Sequence, residues 1–234
     1  MNNAHCPACG AVINFRSSVS VYAVCAYCQS MVVRHDVELE AIGTMAELPD
    51  DMSPLQIGSE GVYNNVPFLI LGRAKMAWDD GTWNEWFFWI NDGRKGWLAE
   101  AQGFFAASFE IDQPWDEETQ RALRNLLVAY NIGVEGETKT RSPADKPGLG
   151  RHLKLRGVFY RIVDIKKAVC VGSEGELPFS APRGRSVTSL DLIGPGGEFG
   201  CVEIEGQKAR LFLGHYREWD EFHLRNLREL EGWS

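Results

Sequence analysis

Short runs of apolar residues, each bounded by glycine, aspartate or asparagine, recur along the chain after residue 54. Residues 68–71, 83–90 and 104–111 have this character, and Asn91, Asp92 and Gly93 form a hairpin signal after the second run. Apolar runs of this length between turn residues are typical of β-strands. We therefore predict a first antiparallel β module over residues 55–112.

The second half of the chain repeats this outline. Strand-like runs at residues 159–163, 201–205 and 209–213 predict a second β module over residues 148–214. Leucines at helical spacing predict a helix at 114–130, capped by Asp112 or Gln113, within a helix-and-linker region at 113–147. A similar pattern predicts a C-terminal helix at about 218–231, within residues 215–234. The predicted fold is mainly β: two small barrel-like modules, with a helix after each.

Two pairs of cysteines dominate the amino end. Cys6 and Cys9 are separated by two residues, as are Cys25 and Cys28, and fifteen residues lie between the pairs. Two residues between thiols let one tight turn direct both sulfurs at one metal ion, and two such turns complete a tetrahedron. We predict a zinc ribbon over residues 1–35, followed by a connector at 36–54.

The ion in this site is expected to be structural Zn²⁺, because four thiolates close the coordination shell and leave no position for water. A single iron ion would accept the same four ligands, and the spacing does not distinguish the two metals. A module of about 35 residues is too small to be stable by its own core, so metal binding is expected to supply its folding energy.

The formal net charge of −8 opposes loose association with phosphate backbones. Residues 1–35 contain Arg16 and Arg34 and no acidic residue, so their charge of +2 is cancelled by the −2 of a zinc tetrathiolate. A neutral ribbon on an acidic chain favours a protein partner, and a nucleic-acid partner is disfavoured. Without a signal-like segment or an apolar run long enough to cross a bilayer, we expect a cytoplasmic protein with no membrane insertion.

The most unusual stretch is residues 78–89, which holds four tryptophans. A strand here would be apolar on both faces, so it is either central and buried or presents an exposed aromatic surface for recognition. Core packing is the simpler interpretation. The residues of the candidate binding surface are Trp78, Trp83, Glu85, Trp86, Trp97 and Glu100.

These observations favour a binding or adaptor protein and leave two alternatives open. The first is an enzyme of unknown reaction in which Glu85 and Glu100 converge in a β cleft as acid and base. This alternative requires the two carboxylates on one face, and a carboxylate inside an aromatic strand needs a partner such as Arg73 or Arg94. The second is a nucleic-acid binder. No catalytic motif assigns a reaction.

Several motifs together resemble a bacterial domain-of-unknown-function family numbered 4178. They are the two cysteine pairs and the segments at 55–58, 71–73, 80–86, 96–100 and 175–178. The resemblance supplies no catalytic residues, because the family has no established activity. It implies an accessory protein, since its members are sometimes encoded near polyamine-pathway enzymes and small membrane proteins.

Overall fold

The computed structural model describes residues 2–35, 38–45, 48, 51–90, 94–130 and 148–230. The predicted hairpin loop at 91–93 and most of the predicted linker lie outside these residues. The chain is mainly β, as predicted. Its strands are β1 (Asn2–His5), β2 (Val12–Phe15), β3 (Tyr22–Val24), β4 (Ser30–His35), β5 (Glu38–Thr44), β6 (Glu60–Tyr63), β7 (Val66–Trp78), β8 (Gly81–Trp89), β9 (Lys95–Ala101), β10 (Phe104–Ile111), β11 (His152–Leu155), β12 (Val158–Leu177), β13 (Ser186–Ile193), β14 (Glu198–Glu205) and β15 (Lys208–Arg217).

Helix α1 spans Glu117–Ala129, three residues later than the predicted start. Its N-cap is Asp116 rather than Asp112 or Gln113, because the Asp116 carboxylate accepts hydrogen bonds from the Thr119 N–H at 2.9 Å and the Thr119 hydroxyl at 2.8 Å. No helix among the described residues is long and apolar enough to cross a membrane.

The prediction of a C-terminal helix is wrong for the residues that the structure describes. Strand β15 continues to Arg217, and a short 3-10 helix follows at Trp219–Phe222. His223 and Asn226 then adopt positive φ angles of 46° and 53°, which end helical geometry. The N–H groups of Arg225 and Arg228 donate to Glu60 and Pro54 rather than to a helix.

The ribbon extends further than predicted. Strands β1 and β2 form an antiparallel hairpin, and β3, β4 and β5 form the second part of the module. Strand β5 falls in the range assigned to a connector, but it pairs along its length with β4, from Ser30↔Thr44 to His35↔Glu38. Ribbon structure therefore continues to Thr44.

The two predicted β modules do not form two separate barrels. Strands β7, β8, β9, β10, β15, β14, β13 and β12 are hydrogen-bonded in that order, and β12 pairs again with β7. Eight strands therefore close into one barrel that draws on both predicted modules. The apolar pattern identified the strands, but it carries no information on which strand pairs with which.

By contacts, the chain divides into two compact units. Unit 1 comprises Met1–Ala107, Val169–Arg185 and Arg217–Ser234, and unit 2 comprises Ser108–Ala168 and Ser186–Tyr216. In unit 2, α1 packs its buried Leu123 and Leu126 into a core with Leu190 and Leu211. In unit 1, the ribbon has its own small core around Cys6, Cys25 and Phe15.

Candidate metal centre

The four cysteines lie on two turns that share the same backbone conformation. In the first turn, the Gly10 N–H donates to the Cys6 carbonyl at 2.8 Å, and in the second the Gln29 N–H donates to the Cys25 carbonyl at 2.9 Å. Gly10 and Gln29 both have left-handed φ angles, of 78° and 59°. Glycine adopts this conformation without steric cost, whereas glutamine does so at a cost. Both turns direct their thiols to one point.

The four sulfur atoms lie close enough to share one ion. The Sγ atoms of Cys6 and Cys28 are 3.7 Å apart, those of Cys9 and Cys25 are 3.8 Å apart, and all four lie within 4.8 Å of one another. A tetrahedral ion with metal–sulfur bonds of about 2.3 Å sets neighbouring sulfurs about 3.8 Å apart. The cysteines therefore fit a four-coordinate metal ion, as the spacing predicted.

Hydrogen bonds shift the pKa values of two of the thiols in opposite directions. Hydrogen bonds from the Ser30 hydroxyl and N–H lower the pKa of Cys28 to about 6. The Ala11 N–H lowers the pKa of Cys9, but the neighbouring thiols, Cys28 first, raise it to about 12. Thiolates this close repel one another, and a positive ion between them would offset that repulsion.

Glu176 connects the ribbon to the rest of unit 1. Its carboxylate accepts hydrogen bonds from the Arg16 N–H at 2.8 Å and the Ser17 N–H at 3.3 Å. Glu176 also pairs with Ala23 where β12 meets β3. Gly175, Glu176 and Leu177 are the last residues of β12, and the ribbon strand β3 extends the sheet at this end.

The tryptophan strand is buried on both faces. Trp86, Phe87 and Phe88 are fully buried, and Trp83 and Trp97 are buried as well. Trp78, Glu85 and Glu100 are half-buried. The interpretation as an exposed recognition surface is therefore wrong for the three buried tryptophans, and the simpler interpretation of core packing accounts for them.

Glu85 and Glu100 do not converge. In the pairing of β8 with β9, Asn84 lies opposite Glu100 and Glu85 lies opposite Ala99, so the two carboxylates project from opposite faces. Glu85 accepts a hydrogen bond from Trp83 Nε1 at 2.6 Å, while Glu100 accepts one from Trp86 Nε1 at 2.9 Å. This arrangement removes the proposed acid–base pair.

A cluster that sequence reasoning missed surrounds Asp51. Its carboxylate contacts Arg73 Nη1 at 3.0 Å, Lys75 Nζ at 2.8 Å and Arg228 Nη2 at 3.0 Å. Arg73 was considered as a partner for Glu85, but it lies on the other face of the sheet, beside Asp51 and Glu174. One feature of the sequence could have indicated this cluster. Arg73 and Lys75 lie two residues apart, as on one face of a strand, inside an otherwise apolar run.

Fold and site together define a mainly β protein with a closed eight-stranded barrel and an amino-terminal four-cysteine site. The sequence profile of the family described as Domain of unknown function (DUF4178) matches residues 56–219, and the chain belongs to this family. The four cysteines precede the matched residues. No curated protein and no solved structure matches the chain significantly.

Proposed function

We propose that this chain is a cytoplasmic adaptor protein whose amino-terminal ribbon is held by one structural Zn²⁺ and contacts a protein partner. The observation that carries the proposal is the set of four thiols within 4.8 Å of one another. Four sulfur ligands leave no position for a substrate or a reactive water, so the ion orders the ribbon and takes no part in a reaction.

Zinc is the ion that the donor set favours. Tetrahedral all-thiolate sites hold zinc or iron. Zinc has no redox chemistry, which suits an ion whose role is structural. A reducing compartment keeps the four thiols available for metal, which supports the assignment to the cytoplasm. Cys6 and Cys25 would hold the ion from the buried side, and Cys9 and Cys28 from the more exposed side.

The partner surface that we propose is the ribbon tip, defined as Pro7, Ala8, Ala26 and Tyr27. These residues lie between the ligands of each turn and are exposed, and the Tyr27 side chain is 81% exposed. The backbone of Tyr27 is held within the cysteine turn, so little backbone entropy is lost when its exposed side chain inserts into a partner. Of the six residues in the candidate binding surface predicted from the sequence, three tryptophans are buried. Trp78, Glu85 and Glu100 are the ones that remain partly accessible.

Two exposed aromatic residues offer a matched comparison for the partner experiment. Full-length, zinc-loaded protein with Tyr27→Ala would be compared with Phe104→Ala, whose side chain is 71% exposed away from the cysteine turns. Quantitative affinity capture from the native host should lose the specific partner by at least about tenfold with Tyr27→Ala and retain it with Phe104→Ala. Equal retention by two folded variants would contradict the role of the ribbon tip.

A further inference from the structure

Two cations are buried side by side on the wall of the barrel. Arg73 and Lys75 lie two residues apart on β7, so they project from the same face, and their residues are 4% and 7% exposed. Neighbouring like charges removed from water destabilise a fold unless an anion lies between them. This pair therefore requires a bound negative group.

Asp51 supplies that group. Its Oδ2 atom accepts from Arg73 at 3.0 Å, from Lys75 at 2.8 Å and from Asn84 Nδ2 at 3.4 Å, and its Oδ1 atom accepts from Arg228 at 3.0 Å. Burial raises the pKa of Asp51, but the hydrogen bond from Lys75 and the two neighbouring cations lower it to about 2. The carboxylate is therefore held as an anion.

The cations and the anion belong to structurally different parts of unit 1. Arg73 and Lys75 are on a strand that pairs on both sides, with β8 and with β12. Asp51 precedes residues 52–55, which belong to no strand. Arg228 holds this segment, donating to the carbonyls of Asp51 at 2.9 Å and Ser53 at 2.5 Å. The two cations therefore belong to the sheet itself, whereas the anion lies on a segment outside the sheet that hydrogen bonds from Arg228 hold in place.

We propose that Arg73, Lys75 and Asn84 form a carboxylate-binding site that Asp51 occupies as an internal ligand. A small carboxylic acid takes the same position when the segment at 51–54 moves away. The site is independent of the ribbon and of its proposed partner. Asn84 is 7% exposed, and its Nδ2 group is the atom that reaches the Asp51 carboxylate, at 3.4 Å.

The charge balance selects a carboxylate over a phosphate. Arg73 Nε lies 2.6 Å from Glu174, and Asn84 donates to Glu100 at 3.0 Å. Asp51 carries one negative charge, so a monoanion in its place leaves the charge of the cluster unchanged, whereas a dianion adds a further negative charge. The members of the cluster are Arg73, Lys75, Arg228, Asp51, Glu174 and Glu100.

The test uses the full-length, zinc-loaded chain with Asp51→Ala, which vacates the position. Thermal unfolding is followed in sodium acetate up to about 0.1 M, with ionic strength held constant by sodium chloride. We expect the Tm of Asp51→Ala to rise saturably by about 3 °C. The Tm of the wild type and of Asp51→Ala/Lys75→Met should rise by less than about 1 °C.

Other results of the acetate experiment either overturn or support the carboxylate-binding site. Equal Tm shifts in wild type and Asp51→Ala, or no shift in either, overturn the proposal. A larger shift with phosphate than with acetate overturns the assignment to carboxylates. If Asp51→Ala does not fold in chloride, recovery of the native circular dichroism spectrum in acetate supports the site, and failure at every acetate concentration overturns it.

Discussion

The carboxylate of Glu176, at the end of β12, accepts a hydrogen bond from the main-chain N–H of Arg16 at 2.8 Å. Glu176 is 6% exposed, so it is a buried charge whose partners are main-chain groups of the loop between β2 and β3. Hydrogen bonds from N–H groups stabilise a buried carboxylate and fix the loop that donates them. The carboxylate thereby sets the position of the chain that leads into the second cysteine turn.

Replacing Glu176 should destabilise the ribbon. Glu176→Ala leaves the Arg16 and Ser17 N–H groups without their acceptor, and we expect a loss of about 1–3 kcal/mol in the free energy of unfolding. Hydrogen exchange should accelerate at residues 16–24. Glu60→Ala, which removes an exposed carboxylate, is the control. Equal protection of the loop in both variants would contradict the anchoring role.

The two cysteine turns predict a stabilising substitution. Gln29 has a φ of 59°, which is unfavourable for a residue with a side chain, so Gln29→Gly should raise the free energy of unfolding by about 0.5–1 kcal/mol. At Gly10 an added Cβ meets no atom within 4 Å, so Gly10→Ala carries only the conformational cost and should lower that free energy by about 1 kcal/mol. Urea denaturation of zinc-loaded protein measures the change in the free energy of unfolding for both variants. The two changes must have opposite signs.

Burial of the tryptophan strand has a direct consequence for stability. Trp86 is fully buried and donates to Glu100, so Trp86→Ala should cost about 3–5 kcal/mol of unfolding free energy. Tyr27→Ala at the ribbon tip should change that free energy by less than about 0.5 kcal/mol. Chemical denaturation distinguishes the two, and a small effect of Trp86→Ala would place that side chain on the surface instead.

The low pKa of Asp51 makes its contribution dependent on pH. Its pKa is about 2 in the folded protein against an ordinary value of 3.8, so its stabilisation is complete above about pH 5 and is lost as pH falls toward 2. We expect Asp51→Asn to be less stable than wild type by about 1–2 kcal/mol at neutral pH. The difference in urea denaturation midpoint should shrink between pH 5 and pH 3. A constant difference would mean that the charge of Asp51 contributes nothing.

Local features of the sequence were sufficient to predict the cysteine turns and most strands. The spacing of Cys6, Cys9, Cys25 and Cys28 encodes two short turns, and turn geometry depends mainly on neighbouring residues. Helix α1 was also found, but its start was misplaced because Asp112 and Asp116 both have the chemistry of a cap, and only the contact with Thr119 selects between them.

The remaining features depend on contacts between residues far apart in the chain. Asp51 lies in a turn-like segment, and nothing near it indicates that Arg73, Lys75 and Arg228 surround it. The closure of β7 against β12 joins residues nearly a hundred positions apart, such as Ala74 and Ser173. The apolar residues Trp219 and Phe222 suggested a helix, but main-chain bonds to Glu60 and Pro54 hold the following segment in a non-helical form.

Elemental analysis measures whether the four thiolates bind one metal ion. Reduced, tag-free protein purified without added metal should contain one zinc per chain, and Cys9→Ser should lower that ratio, while Cys201→Ser should leave it unchanged because Cys201 lies outside the four-cysteine site. Folded wild-type protein with neither zinc nor iron would show that the four thiols do not need a metal ion.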